Sequence, residues 1–136
     1  RELHVLDMRP PESLRTTLIT ANGIELAPSG AIVHPAGDSE DVLAKATAVS
    51  ITGSTFVNDT FDDLIHVSRN ARLITVYGAS AGFIPDVLFE RGVHMVHSSL
   101  ISDPGTFEHG VLRELNMEQV MRQTQRQQTI VAGARR

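Results

Sequence analysis

The chain has no cysteine and no tryptophan, and only 4% of its residues are aromatic. Without a thiol there is no disulfide, no thiolate metal site and no cysteine nucleophile. Any metal must then be held by His with Asp or Glu, or by groups from another chain. Long apolar runs are also missing. No stretch approaches the roughly 20 residues that a membrane-spanning helix needs, and no signal-peptide pattern opens the chain. Neither a membrane nor an export route is expected, and the composition suits the cytoplasm. Positive charge is in short supply as well. The formal net charge of −4 argues against nucleic acid as a partner, since such binding needs a clustered basic face. Arg122, Arg126, Arg135 and Arg136 make the C-terminus locally basic, but Gln residues separate them and no aromatic residue interleaves. They read as a solvated tail. What remains is 136 residues, 41% hydrophobic and 21% charged, enough for one globular domain with a real core.

Residues 47–61 organise the rest. Residues 48–51 form a short β-branched, apolar run, and Thr52-Gly53-Ser54-Thr55 supplies a tight turn rich in hydroxyls. A helical pattern follows, with Phe56, Leu64, Ile65 and Val67 as its apolar positions and Asn70 as its stop. Strand, small polar turn and helix make half of a βαβ unit. The same order recurs at residues 73–77, Gly78-Ala79-Ser80-Ala81-Gly82 and a short helix over 85–91, where Pro85 suits the first turn and Gly92 the end. A strand over 93–98 follows. Spacing of about 25 residues fits parallel crossover units. Continuous β-branched runs imply strands buried on both faces. The fold class expected is α/β, a Rossmann-like three-layer fold with a mostly parallel sheet of about four to five strands.

The flanks are less regular. Residues 3–8 read as a first strand, stopped by Pro10 and Pro11, with Asp7 near its carboxyl end. Residues 12–33 suggest a small hairpin about Asn22-Gly23 or an irregular excursion. Asp38 is placed to cap a short helix carrying Val42, Leu43 and Ala46. After Asp103-Pro104, one long helix is expected over 106–125, with Val111, Leu112, Leu115 and Val120 as an apolar stripe. The tail after Thr129 is expected to fray.

Several constellations could carry chemistry. The turns at Thr52–Thr55 and Gly78–Ser80 would lie side by side if their strands are neighbours, and their hydroxyls and backbone amides suit a phosphate or carboxylate. Gly, Ser and Thr are also common at any strand-to-helix turn. Gly78-x-Ser80-x-Gly82 matches a nucleophile elbow, with Asp103 and His109 following in triad order. Phe83-Ile84-Pro85 intervenes before the helix, however, which weighs against it. Asp7 could bind ribose hydroxyls, but no Gly-rich turn precedes it. Of six histidines, His94 and His97 resemble a metal pair, yet on one strand they face opposite sides. His97, toward the carboxyl end of its strand, is the metal candidate, with a divalent ion as its cofactor.

From Thr47 onward the chain resembles the C-terminal Rossmann-like domain of the putative heavy-metal chelation family, domain-of-unknown-function family 364. The residues that carry the resemblance are Ser50-Ile-Thr-Gly-Ser-Thr-Phe-Val-Asn-Asp-Thr-Phe-Asp-Asp-Leu-Ile, Ala71-Arg-Leu-Ile-Thr-Val-Tyr-Gly-Ala-Ser, Leu88-Phe-Glu-Arg-Gly-Val and Asp103-Pro104. Residues 3–10 resemble the preceding strand. The resemblance implies a Rossmann-like sheet joined to an enolase-like N-terminal domain, with a site in the cleft between them for a metal or a metal-chelating small molecule. Thr52, Gly53, Ser54, Thr55 and Asn58 match its first motif, and Gly78 and Ser80 its second. On this reading residues 1–136 are one domain, a fragment without the enolase-like domain and without the first strand and helix. Expected partners are a small-molecule or metal ligand, and either further copies of the chain or the missing N-terminal domain. The alternatives are a non-catalytic assembly subunit whose site a partner chain completes, and, on fold analogy alone, a nucleotide-dependent enzyme.

Overall fold

β-Branched residues crowd 48–52 and 73–77, and each run closes on a small-residue turn, which is why both become strands of one parallel sheet. The computed structural model describes residues 2–10, 13–20, 23–28, 31–83 and 85–133, and of 15–20 and 23–28 the backbone alone. Strands β5 (Ala48–Thr52), β6 (Leu73–Tyr77), β7 (Met95–Ile101) and β8 (Gln125–Val131) form a four-stranded sheet in that order. The first three are parallel, and β8 runs antiparallel beside β7. A second, two-stranded parallel sheet pairs β1 (His4–Asp7) with β4 (Ile32–Pro35). Between them in sequence, β2 (Arg15–Thr20) and β3 (Gly23–Pro28) pair antiparallel, with Thr20 opposite Gly23. The excursion is therefore a hairpin. Its Asn22 lies outside the described residues.

The helices α1 (Ser39–Leu43), α2 (Phe61–Ser68) and α3 (Asp86–Glu90) cover one face of the main sheet. Val49, Ile51, Ile74, Val76 and Val96 point toward that side and meet Leu43, Phe61 and Leu88 from the helices. Burial alternates along β5 and β6, so the continuous burial expected of both faces is not what forms. Ala48, Ser50, Leu73, Tyr77 and His97 lie exposed on the opposite face. No helix of the described residues is long and apolar enough to cross a membrane.

Three further expectations change. The long last helix is two: α4 (Pro104–Leu112) and α5 (Met117–Thr124). Glu114 takes a positive φ of 51° between them, and Asn116 caps α5 by accepting the Gln119 amide. Of the apolar stripe only Val120 is buried, against Gly110, while Leu112 is 75% exposed. Of the basic C-terminus, Arg122 lies exposed on α5 and Arg126 exposed on β8, while Arg135 and Arg136 lie outside the described residues; β8 carries the chain past Thr129 to Val131 without fraying, because its backbone completes the edge of β7. Asp38 does sit at the N-cap of α1, but its side chain makes no capping bond. Asp103, by contrast, accepts the Thr106 amide at 3.0 Å and caps α4, which holds its carboxyl below the ordinary carboxylate range.

Candidate functional site

The carboxyl ends of β5 and β6 open into two single-turn 3-10 segments, Gly53–Phe56 and Ala79–Ala81. They touch. A Cβ on Gly53 would lie 2.8 Å from the Ala81 amide nitrogen and 3.1 Å from the Ser80 carbonyl carbon. Only a residue without a side chain lets the two backbones approach so closely. Gly78 takes φ +113°, a conformation that L side chains avoid, and turns the chain out of β6 while its amide donates to the His97 carbonyl at 3.0 Å.

Hydroxyls shape the first turn. Thr55 Oγ1 donates to the Thr52 carbonyl at 2.7 Å and is buried, so its role is to hold the turn. Ser54 Oγ donates to Thr52 Oγ1 at 3.2 Å yet stays exposed. Ser80, also exposed, has no hydrogen-bond partner among the described residues. Asn58 lies on the same side, where its Oδ1 accepts from Thr60 Oγ1 at 2.7 Å. Its Nδ2 lies 3.9 Å from the Met8 sulfur, just beyond β1. Seven predicted positions thus gather at one rim. Ser54 and Ser80 offer open hydroxyls, while Gly53, Thr55 and Gly78 set the backbone.

Asp7 and Arg9 stand at the carboxyl end of β1. Asp7 accepts from Arg9 Nη2 and from the Arg9 amide at 2.8 Å each, and from Nε at 3.0 Å. The Arg9 guanidinium beside it lowers the Asp7 pKa to about 2, and Asp7 in turn raises that of Arg9. With its oxygens so occupied, Asp7 is poorly placed to take ribose hydroxyls.

The remaining candidates lie apart. His97 is the third of seven residues in β7, level with Tyr77 on the exposed face, and its Nδ1 is 2.8 Å from Thr129 Oγ1 on β8. Among the described residues no three His, Asp or Glu side chains gather as a metal site. His94 precedes β7, and its Nδ1 accepts the Ile74 amide at 3.1 Å. No hydrogen bond among the described residues joins Ser80, Asp103 and His109 into a triad. A 440 Å³ groove lies near the amino ends of β6 and β7, lined by His66, Arg69, Arg91 and His94 over Ile65 and Ile74. Arg69 and Arg91 are the C-caps of α2 and α3, where cations complement helix carbonyls, and Arg91 also pairs with Asp62.

One contact was not legible in the sequence. His4 and His34 stack with ring centroids 5.1 Å apart, and His4 Nδ1 lies 2.9 Å from His34 Nε2. Only the parallel register of β1 and β4 brings them together.

In open α/β sheets ligands collect at the carboxyl ends of parallel strands, and β5 and β6 each end there in a small-residue turn. The chain belongs to the DUF364 family, described as "Putative heavy-metal chelation", whose model matches residues 4–130. It is similar to two solved DUF364 proteins of unknown function. The one from Pyrococcus horikoshii is 13% identical with a TM-score of 0.68, and the alignment covers 97% of this chain and 54% of that one. The one from Desulfitobacterium hafniense DCB-2 is 25% identical with a TM-score of 0.64, covering 96% of this chain and 52% of the other. The chain therefore spans about half the length of these relatives. No curated protein matches it.

Proposed function

We propose that the chain is a ligand-binding Rossmann-like domain whose carboxyl rim holds a small anionic or metal-chelating molecule. The approach of Gly53 to the Ser80–Ala81 backbone carries this reading, because it sets the two turns against each other at one edge of the sheet. Thr52, Gly53, Ser54, Thr55, Asn58, Gly78 and Ser80 are the proposed contacts. Neutral hydroxyls and amides suit carboxylate or phosphate oxygens, and the Asp7–Arg9 pair beside them adds little net charge of either sign. With no three-ligand cluster among the described residues, a divalent metal would arrive already held by its chelator. His97 would add at most one ring nitrogen, Nε2, since Nδ1 faces Thr129.

Citrate is both an oxyanion and a chelator, so calorimetric titration with citrate and with zinc citrate tests the reading. Ser54→Ala with Ser80→Ala should weaken binding about tenfold, near the worth of one charge-assisted hydrogen bond, while Thr106→Ala on α4 leaves it unchanged. Equal affinity in the double variant would remove the rim from the account. A second reading is favoured by the half-length match to the relatives: the chain is one part of a two-part site and does no chemistry alone.

A further inference from the structure

Arg9 is held on one side and open on the other. Its amide donates to Asp7 Oδ1 at 2.8 Å, its Nε to the same oxygen at 3.0 Å, and its Nη2 to Oδ2 at 2.8 Å. A guanidinium carries five N–H donors in a planar fork. Asp7 occupies the edge formed by Nε and Nη2. The outer edge, formed by Nη1 and Nη2, meets no acceptor among the described residues, and the side chain is 67% exposed. Pro10 follows and confines the Arg9 backbone to extended conformations. Backbone and head group are both fixed, so the outer edge loses little freedom when an anion meets it. Arg9 also stands beside the rim. The Met8 sulfur, one residue earlier, lies 3.9 Å from Asn58 Nδ2, and the Asn58 amide donates to the Ser54 carbonyl at 3.4 Å. Donors therefore run from Ser80 and Ser54, through the Asn58 side-chain amide, to Arg9.

We infer that Arg9 is a second oxyanion subsite of the rim. Its outer guanidinium edge takes one carboxylate or phosphate group of the ligand in a two-point contact, while another oxyanion of the same molecule sits at the two turns. Asp7 is the positioning residue that aims the fork. A lysine could not replace Arg9, because a single ammonium offers no second planar edge. The pair is neutral overall, so it supplies direction rather than net charge. The ligand class narrows to an extended chelator with acid groups at both ends. Citrate, whose acids crowd one short chain, engages the turns alone. The inference rests on the rim reading above and extends it to a residue that no hydroxyl or small-residue motif marks.

Two probes separate the subsites. Iminodiacetate carries one chelating acid head, and ethylene glycol tetraacetate (EGTA) carries two such heads joined by a long ether chain. In calorimetric titration without metal, EGTA should bind about tenfold tighter than iminodiacetate, roughly the worth of one charge-assisted contact and beyond the about twofold that two equivalent heads supply by statistics. Arg9→Ala should abolish this gain and leave iminodiacetate affinity unchanged, which also shows that the variant is folded. Arg69→Ala removes the same charge in the groove near the amino ends of β6 and β7 and should change neither titration. Asp7→Ala removes a negative charge, which alone would strengthen anion binding, so a gain reduced at least about threefold is the signature of positioning. A stronger gain would strip Asp7 of that role. A gain that survives Arg9→Ala, or no gain in the wild type, would overturn the inference and leave the turns as the site. Loss of the gain in Arg69→Ala would move the second head to the groove and overturn it as well. Iminodiacetate that fails to bind, or binds regardless of Ser54→Ala with Ser80→Ala, would remove the rim reading itself and the inference with it.

Discussion

Gly53→Ala probes the contact on which the rim depends. Its new methyl would stand 2.8 Å from a backbone nitrogen and 3.1 Å from a backbone carbon, neither of which can swing aside as a flexible side chain would. The two turns must separate by several tenths of an ångström, and overpacking of this kind costs about 1–3 kcal/mol. Against that, Gly→Ala restricts the unfolded chain and contributes about 0.4–1 kcal/mol where φ is ordinary, as it is here. The net expectation is a loss of about 1–2 kcal/mol. For a chain of this length each kcal/mol moves Tm by about 3–4 °C, so Tm should fall by about 3–8 °C. Gly37→Ala is the control, since nothing lies within 4 Å of its Cβ position and its φ is also ordinary. It should hold or slightly raise Tm. Thermal unfolding followed by circular dichroism on both variants reads the difference. A Gly53→Ala variant as stable as wild type would mean that the turns are not in contact.

Leu88, 2% exposed beneath the sheet, should lose about 2–5 kcal/mol in Leu88→Ala, while Leu112→Ala on α4 should stay within about 0.5 kcal/mol, both read by urea unfolding. Ser68 Oγ is buried without a hydrogen-bond partner among the described residues, so Ser68→Ala should be neutral or stabilising by up to about 1 kcal/mol in the same assay. For Asp7 the folded pKa lies below the unfolded one, so its contribution to stability is full above about pH 4 and fades as pH falls toward 2. Carboxyl NMR should show its midpoint near 2, and Arg9→Ala should return the midpoint toward the ordinary 3.8.

The parts of the fold that local chemistry specifies were legible. β6 begins and ends where its β-branched run does, and Pro85, Gly92 and Asp103 mark their helix ends as expected. The failures are long-range. Gln125 to Thr129 is polar throughout, and only pairing with β7 makes it a strand. The break between α4 and α5 turns on Glu114 at positive φ, a residue with no turn signature, although Asn116 could have marked the second N-cap. The split between the two sheets leaves no local trace, because both edges are ordinary parallel strands. For the rim, the repeated strand-and-small-turn pattern gave the residues. Their contact needed the sheet, since nothing in Thr52-Gly53-Ser54 names Ala81 as the neighbour. His4 beside His34 was invisible for the same reason.

The central claim is that ligand and rim meet at Ser54 and Ser80. Citrate titrated into ¹⁵N-labelled protein, followed by amide chemical shifts, tests it most directly. Shifts confined to residues 52–58 and 78–82 are the predicted result. Shifts at His66, Arg69, Arg91 and His94 instead, with the two turns silent, would place the ligand in the opposite groove and contradict the account.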